Sequence, residues 1–329
     1  MIDTTINFAL LLFLAATAFS ILRRTTLFSV VMLSGVFSFV SATLLVHLDA
    51  VDVAFTEAAV GAGISTVLML STLALTARHE APASRSRALP LIVVFLTGLA
   101  LIYGTLDMPR FGDPSAPVHT HVAPRYITAT ATEIGIPNIV TAVLASYRGF
   151  DTLGEVTVIF TAGIGVLLLL AGTIREPTGV KITAMDHHLV LRVVTKVLIG
   201  PILLFALYVQ FHGDYGPGGG FQAGVIFAAA FIIYALVFGL EAARRAVPGR
   251  AVRWILAAGV LLYGGVGVVS FFFGKNYLDY SALGATATAG QHLGILLVEF
   301  GVGMTVSAVM VSTYYAFAGQ NRPIGDEDW

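Results

Sequence analysis

The sequence predicts an all-α polytopic membrane protein with about nine transmembrane helices, on the basis of three observations. The first is composition: 57% of the 329 residues are hydrophobic and 11% are charged, whereas a soluble domain carries about 25% charged residues. The second is that the apolar residues form runs of about 20, the length that crosses a bilayer as a helix. The third is an uneven distribution of Lys and Arg between alternate loops.

Nine apolar runs give the predicted helices in order. They are residues 4–22, 25–46, 53–77, 88–106, about 152–174, 189–211, 221–240, 254–274 and about 290–318. The first run contains Ala16, Thr17 and Ala18, a triplet similar to a signal-peptide cleavage site. However, Arg23 and Arg24 follow this run and no basic residue precedes it. This flank favours a retained helix over a cleaved signal peptide.

The basic residues predict that the N-terminus lies outside and the C-terminus inside. In that orientation most of the 18 Lys and Arg residues fall in inner loops, and the outer loops hold only Arg110, Arg125, Arg148 and Lys275. Membrane proteins carry their excess of Lys and Arg on the cytoplasmic side. One missing or extra helix would invert every later loop, so the agreement also supports the count of nine.

The longest polar link, residues 108–136, is predicted to be an extended outer loop because of its prolines, which are Pro109, Pro114, Pro117 and Pro124. Pro137 then opens the segment PNIVTAVLASYRG. Proline suits the first position of a helix, so we expect one short helix here, lying on the outer surface. Its predicted apolar face consists of Ile139, Val140, Val143, Leu144 and Tyr147.

Glu57 is the first ionisable residue inside a predicted span, where such groups are costly and point to function. It lies about one turn into the third helix, with Gly61 and Ser65 at spacings of four on the same face. Small residues let a neighbouring helix approach closely, so Glu57 is a candidate proton or cation relay. The alternative is that Glu57 sits at the membrane interface, against a headgroup or the helix N-terminus.

Glu299 lies near the middle of the last helix, with His292, Gly303 and Ser307 close to the same face. A carboxyl at mid-depth must face protein or water. Glu299 is therefore a candidate for ion transfer, and His292 is an ion-path candidate beside it. The alternative is a protonated glutamic acid that joins two helices by a hydrogen bond.

Lys196 lies less than two turns from the inner end of the sixth helix, near Pro201. A lysine at that depth can extend to the interface, and a kink beside a buried lysine also fits an ion path, so both interpretations stay open. Asp151 and Glu155 are one turn apart at the outer end of the fifth helix. They predict either a cation-attracting mouth or, through Thr152 and Glu155, a structural capping box.

The segment HGDYGPGGGFQAG, residues 212–224, joins the sixth and seventh helices. Its G-x-G-x-x-A spacing indicates dinucleotide binding only inside a soluble βαβ unit, which this sequence does not predict. Glycine permits positive φ and close helix approach, so we interpret the segment as a structural hinge. We expect Gln222 and His212 to satisfy backbone groups that water does not reach. The hinge residues are Gly216, Pro217, Gly218, Gly219, Gly220 and Gln222.

Several function classes are disfavoured by composition. The chain contains no cysteine, so it supplies no disulfide, thiolate metal site or cysteine-held iron–sulfur cluster. The net charge of −1 gives no indication of a nucleic-acid partner. No nucleophile–base pair and no cofactor motif is evident, so we expect no cofactor and no covalent catalysis.

Specific segments of the sequence resemble a known transporter family. HGDYGPGGGFQAGVIFAAAF and LVEFGVGMTVSAVMVSTYYAF resemble the B-type (MnhB-like) subunit of Mrp multisubunit Na+/H+ antiporters. DVAFTEAAVGAGISTVLML, FGDPSAPVHTHVAPRYI and GIPNIVTAVLASYRGFDTLGEVTVIF resemble the carboxyl-terminal extension of the large A-type subunit. The matches cover nearly the whole chain in order, and they imply a fusion of the A-type extension, which has five helices, with the four-helix B-type module.

The resemblance implies three modules: a three-helix module at residues 1–80, a two-helix module with the long outer loop at 81–178, and a B-type module at 179–329. It implies a subunit of a cation/proton antiporter in the bacterial inner membrane, with the lipid bilayer, large proton-channel subunits and small membrane subunits as partners. Two alternatives are the equivalent subunit of a hydrogenase-like or complex I-related ion pump, and a scaffold without its own ion path. By the same resemblance Glu57, Asp151 and Glu155 are ion-path candidates, and a transient Na+ is expected near them.

Overall fold

The computed structural model describes residues 2–73, 76, 78–80, 88–171, 185 and 187–319. The predicted module boundary at 178/179 and the predicted inner C-terminal end lie outside these residues. The boundary at 80/81 falls at the edge of a described segment. The three modules and the orientation of the termini remain predictions.

Nine helices in the described part of the chain are long and apolar enough to cross a membrane, which confirms the predicted fold class. Secondary structure within that part is helical, without β-strands. The third helix is α-helical except for a π-helical stretch at Ala58–Ile64. The nine helices are α1 (Ile2–Leu22), α2 (Leu27–His47), α3 (Val51–Leu73), α4 (Ala88–Thr105), α5 (Gly149–Ala171), α6 (Leu189–His212), α7 (Gly220–Phe238), α8 (Gly249–Phe272) and α9 (Ala287–Ala318).

The core lies in the C-terminal half of the chain, where α9 packs against α7, α8 and α5. Glycine allows this close packing. A Cβ on Gly259 of α8 would lie 2.7 Å from the carbonyl oxygen of Gly301 on α9, and a Cβ on Gly224 of α7 would lie 2.8 Å from that of Gly303. Backbones that approach so closely leave no room for larger side chains. The glycines therefore fix α7 and α8 against different parts of α9.

Several predicted helix boundaries differ from the observed ones, and two of them have a clear physical cause. Helix α8 begins at Gly249 and not at residue 254, because its first turn is polar, with Arg250 and Arg253, and a hydropathy pattern passes over it. Helix α7 ends at Phe238 because Gly239 takes a φ of 90°, after which a separate short helix, Leu240–Ala246, begins. A positive φ is open to glycine and interrupts the right-handed helix.

The prediction of an extended loop at residues 108–136 was also wrong. This link contains two helices, Pro117–Thr120 and Ala123–Glu133. Each has a proline in its first turn, where the missing N–H costs no hydrogen bond. These two prolines therefore start helices in a segment whose composition had indicated a loop.

The next short helix differs from its prediction in start and orientation. The helix begins at Ile139, after Asn138, and not at Pro137 as predicted. The Asn138 side chain accepts hydrogen bonds from the backbone N–H groups of Val140 and Thr141. The helix runs Ile139–Ala142 and continues as a π-helical turn, Val143–Tyr147. Its buried face consists of the small residues Thr141, Ala142 and Ala145, whereas Val140 and Leu144 of the predicted apolar face are exposed.

Candidate functional site

The glycine-rich segment forms a tight turn between α6 and α7. The backbone N–H of Gly219 donates to the carbonyl of Val209, 3.0 Å away, which closes the turn onto the last part of α6. Gly219 has a φ of 109°, a conformation that favours glycine. A Cβ on Gly218 would come within 2.7 Å of the Val209 carbonyl oxygen. The turn therefore requires glycine at both positions.

Glu299 of α9 lies directly against this turn. A Cβ on Gly213 would lie 2.9 Å from Glu299 Oε2, and a Cβ on Gly219 would lie 2.9 Å from Oε1. A Cβ on Gly220 would overlap the Glu299 carbonyl oxygen. The glycines therefore do more than form the turn. Their lack of a side chain also leaves room for the carboxyl group of Glu299 between the helices.

Side chains from the first half of the chain hold the turn in place. Asn138 Nδ2 donates to the carbonyls of Gly213 (3.0 Å) and Gly216 (2.9 Å). Thr141 Oγ1 also donates to the Gly213 carbonyl, at 2.7 Å. Gln222 Nε2 donates to Thr56 Oγ1 of α3, at 2.8 Å. The turn is therefore the point where the short helix after Asn138, α3 and the C-terminal helices meet.

Hydrogen bonding at the turn differs in part from the expectation for Gln222 and His212. Gln222 does reach one backbone carbonyl, that of Asp52, at 3.4 Å. The His212 ring instead stacks on Tyr208, with ring centroids 4.9 Å apart. The carbonyls of Gly213 and Gly216 are satisfied by Asn138 and Thr141, two residues that the sequence had placed only in a surface helix.

A cavity of about 530 Å³ lies beside the turn, bounded by α3, the short helix, α5, α8 and α9. Three carboxylic side chains line it: Asp52 from α3, Glu155 from α5 and Glu299 from α9. Most of the remaining wall is apolar, with Thr56, Thr152 and Tyr263 as further polar groups. Each water molecule occupies about 30 Å³ in the liquid, so the cavity can hold many waters or a hydrated cation.

The α5 side of the cavity opens to the surface of the chain, since Glu155 and Val158 both line it and are both exposed. On the opposite side, the glycine turn and α9 close it around Glu299. The cavity therefore leads from the surface of this chain to the half-buried carboxyl of Glu299.

Glu57 does not line the cavity. Its carboxyl lies against α2, because a Cβ on Gly61 would be 2.6 Å from Glu57 Oε1 and 2.5 Å from Ser38 Oγ. The π-helical stretch Ala58–Ile64 begins immediately after Glu57. Such stretches inside α-helices frequently lie at functional sites. A relay at Glu57 remains a prediction, and its immediate surroundings differ from those of Glu299.

The remaining candidates lie away from the cavity. Lys196 is exposed, and its ammonium sits 5.6 Å from the centre of the Phe238 ring. Asp151 is exposed and forms an ion pair with Arg148. Helix α5 begins at Gly149, so Thr152 lies inside its first turn and donates to the Leu144 carbonyl at 2.8 Å. The capping-box interpretation of Glu155 was therefore wrong.

His292 and two residues that the sequence patterns did not single out complete the site. His292 Nε2 contacts Asp214 Oδ2 at 2.7 Å, and burial raises the pKa of Asp214, an effect that His292 opposes. Asp214 lies within the glycine-rich segment but was not predicted to be a functional residue. Asp52 was missed because the third helix was predicted to begin at residue 53, two positions after its observed start at Val51. Attention to every carboxylate at a helix end would have found both.

Three family models match consecutive stretches of the chain. Residues 12–78 match the MbhD family and residues 84–182 match the MbhE family, both of which are described as subunits of MBH. Residues 190–323 match the domain related to the MnhB subunit of Na+/H+ antiporter.

A protein of Staphylococcus aureus (strain Newman) named as antiporter subunit mnhB2 is 34% identical over 137 residues, which cover 41% of this chain and 96% of that protein. A chain in the structure of the Mrp complex from Dietzia sp. DQ12-45-1b matches 96% of this chain with a TM-score of 0.75 and 27% identity, and this chain spans 35% of it. A chain of the archaeal membrane-bound sulfane sulfur reductase matches 70% of this chain, and 97% of its own length, with a TM-score of 0.54 and 26% identity.

Fold and cavity together define a multi-span membrane subunit with a half-buried carboxyl group, that of Glu299, beside a cavity. The chain belongs to the family of antiporter subunits related to MnhB. The resemblance expected from the sequence is thereby confirmed.

Proposed function

We propose that this chain is a membrane subunit of a multisubunit Na+/H+ antiporter in the cell membrane and that its cavity forms part of the ion path. The observation that carries this proposal is the convergence of Asp52, Glu155 and Glu299 on one cavity. Oxygen ligands suit hard cations, and ionisable groups kept inside a membrane segment are typical of ion pathways.

Partner subunits are part of the proposal. The cavity opens on the α5 side, where a neighbouring subunit can close it and continue the path. Relatives named as antiporter subunits and as part of an Mrp complex support this arrangement. The chain serves as one element of the exchanger, with the main proton channels in other subunits.

Na+/H+ exchange in everted vesicles that contain the assembled complex tests the proposal. Glu299→Gln keeps the size of the side chain but removes its ionisation. We expect an intact complex on native gels and exchange reduced by at least about tenfold. Glu155→Gln should raise the Na+ concentration needed for half-maximal exchange, because Glu155 stands at the open side of the cavity.

Glu241→Gln is the matched control, since Glu241 is an exposed glutamate that pairs with Arg245 on the short helix Leu240–Ala246. It should exchange at the wild-type rate. Wild-type exchange in both Glu299→Gln and Glu155→Gln, with the complex intact, would contradict an ion path through this cavity and favour a scaffold role.

A second candidate is the equivalent subunit of a redox-driven ion pump. The matches to MBH subunits and to a chain of the sulfane sulfur reductase favour it. Purification of the native complex distinguishes the two candidates. Copurifying flavin or iron–sulfur subunits would establish the redox-driven pump, whereas a set of antiporter subunits alone would establish the exchanger.

A further inference from the structure

Asp214 and His292 form an ion pair at the rim of the glycine turn. Asp214 Oδ2 and His292 Nε2 are 2.7 Å apart. The Asp214 side chain is 11% exposed, whereas that of His292 is 49% exposed. One member of the pair is thus accessible to solvent and the other is enclosed by protein.

The enclosed member leads to Glu299. Asp214 follows Gly213, whose backbone lies against Glu299 Oε2. His292 and Glu299 are seven residues apart on α9, which places them on one face about 10 Å apart along the axis. Carboxylates in neighbouring positions repel each other when both are charged. The charge of the pair therefore acts on Glu299 directly.

The turn holds Asp214 in one position. Its backbone carbonyl accepts from the Asn138 N–H at 3.0 Å, and the neighbouring Gly213 carbonyl accepts from both Asn138 and Thr141. Beside His292, Gln291 accepts from Ser146 at 2.7 Å. The pair is fixed from the short helix on one side and from α9 on the other.

Two titratable groups on the surrounding elements are bonded to other partners. Glu133 on the helix Ala123–Glu133 is already occupied by Arg125 and Tyr147. Tyr280 donates to the Ala145 carbonyl. The charged and titratable groups on the described elements around the pair include Asp52, Arg125, Tyr126, Glu133, Tyr147, Glu155, His212, Tyr263, Tyr280 and Glu299.

We propose that the Asp214–His292 pair loads the proton used in exchange and that its protonation state controls the charge of Glu299. This inference rests on the proposed function. It assigns the exposed imidazole as the proton acceptor and the buried carboxylate as the group that passes the charge change to the cavity.

The proton balance of this step is simple. A neutral His292 that carries its proton on Nε2 donates it to Asp214 and accepts a solvent proton at Nδ1. When the Nε2 proton moves to Asp214 Oδ2, an N–H bond breaks, an O–H bond forms and His292 is neutral again with its proton on Nδ1. Asp214 is then uncharged and no longer repels the Glu299 carboxylate. Glu299 can then release its own proton to water in the cavity and bind a cation as the carboxylate.

Exchange by the assembled complex in vesicles, measured as a function of the pH on the side of the turn, tests this inference. His292→Gln and Asp214→Asn should each leave the complex intact, lower exchange by at least about tenfold, and flatten the pH profile of exchange. Asp214→Glu keeps the carboxyl and should restore part of the rate.

His121→Gln and Asp107→Asn are matched controls, because both residues are exposed in the link between α4 and the short helix Ala123–Glu133. Both should keep the wild-type rate and pH profile. If the complex with Asp214→Asn does not assemble, the result for His292→Gln tests the inference by itself, because the His292 side chain is exposed.

The outcomes separate this inference from the proposed function. Loss of exchange in Glu299→Gln combined with a wild-type rate and pH profile in His292→Gln would overturn the proton-loading pair only. Wild-type exchange in Glu299→Gln would overturn the ion path and the pair together. A reduced rate in His292→Gln with an unchanged pH profile would show a structural role and also overturn the inference.

Discussion

Helices α9 and α4 have similar hydropathy but very different surroundings. In the most apolar 18-residue stretch of α9, 61% of the residues are buried inside the described part of the chain, whereas none is buried there in the corresponding stretch of α4. Glycines in α9 contact neighbouring backbones or rings, as Gly294 does with Tyr280. Among the described residues, Gly98 and Gly104 in α4 have no neighbour within 4 Å of the position a Cβ would take.

This difference shows that apolar character and packing are separate properties in a membrane protein. Lipid tails are as apolar as leucine, so a helix can be hydrophobic on every side without packing against protein. The ionisable and hydrogen-bonded groups of the site lie on elements that meet α9. Helix α4 carries no charged residue, and none of its residues is buried by the described part of the chain.

Gly220→Ala should have the largest effect of any single methyl group added to this chain. The added Cβ would overlap the carbonyl oxygen of Glu299. Because this oxygen belongs to the backbone of a helix, no side-chain rotation can relieve the overlap. Overpacking of this kind costs about 1–3 kcal/mol or more. We expect a lower melting temperature of the purified complex and loss of the assembled form on native gels.

Gly98→Ala is the corresponding change in α4, where no described residue lies within 4 Å of the added methyl group. It should leave assembly and melting temperature unchanged or slightly raised, because alanine favours the helix over glycine by up to about 1 kcal/mol. Destabilisation by Gly98→Ala would instead show that this face of α4 is covered by a partner subunit, and equal effects of the two variants would remove the contrast between the helices.

Glu57→Gln should have the next largest effect. It should reduce exchange and leave assembly unchanged. Glu57 lies outside the cavity but beside Ser38 and the π-helical stretch. If it relays a proton or cation, both charge states must be reached during turnover. Glu57→Gln should therefore leave an intact complex with strongly reduced exchange, and Glu57→Asp, which keeps the charge, should retain part of the activity.

Native gels and exchange assays on the same vesicles distinguish this role from a structural one. A hydrogen bond between helices would survive in Glu57→Gln, so a structural role predicts mild effects on both measurements. Normal exchange in an intact Glu57→Gln complex would remove Glu57 from the ion path and leave Glu155 and Glu299 as the candidates.

The positions of the nine helices could be predicted because each is a run long enough to span a bilayer. Their ends could not, where polar residues begin a helix, as Arg250 does in α8, or where a single glycine ends one, as Gly239 does after α7. The prediction of a loop at residues 108–136 was wrong for a related reason. Proline was interpreted as a breaker, although in a first turn it starts a helix.

The site could be predicted only one residue at a time. Glu299 was found because a carboxyl inside a span is costly. Its grouping with Glu155 and Asp52 was beyond the sequence, because the three come from helices that are distant in the chain and meet only through tertiary packing. Asn138 was missed because a single polar residue before a short helix gives no sign that it holds a turn 75 residues later.

Asp151 should give the smallest effect, and it separates the mouth of the cavity from its lining. Asp151 and Glu155 are one turn apart on α5, but Asp151 pairs with Arg148 at the surface, whereas Glu155 lines the cavity. Exposed ion pairs contribute about 0–1 kcal/mol, so Asp151→Asn should change the melting temperature of the complex very little. If Asp151 attracts cations to the mouth, its removal should raise the Na+ concentration for half-maximal exchange at low ionic strength. The effect should disappear near 0.15 M salt, where the Debye length is about 8 Å. The effect of Glu155→Gln, in contrast, should fall less between the two salt concentrations, because Glu155 lines a largely apolar cavity wall, whereas Asp151 lies at the surface. A salt-independent effect of Asp151→Asn would place Asp151 in the path itself and would extend the site to the first turn of α5.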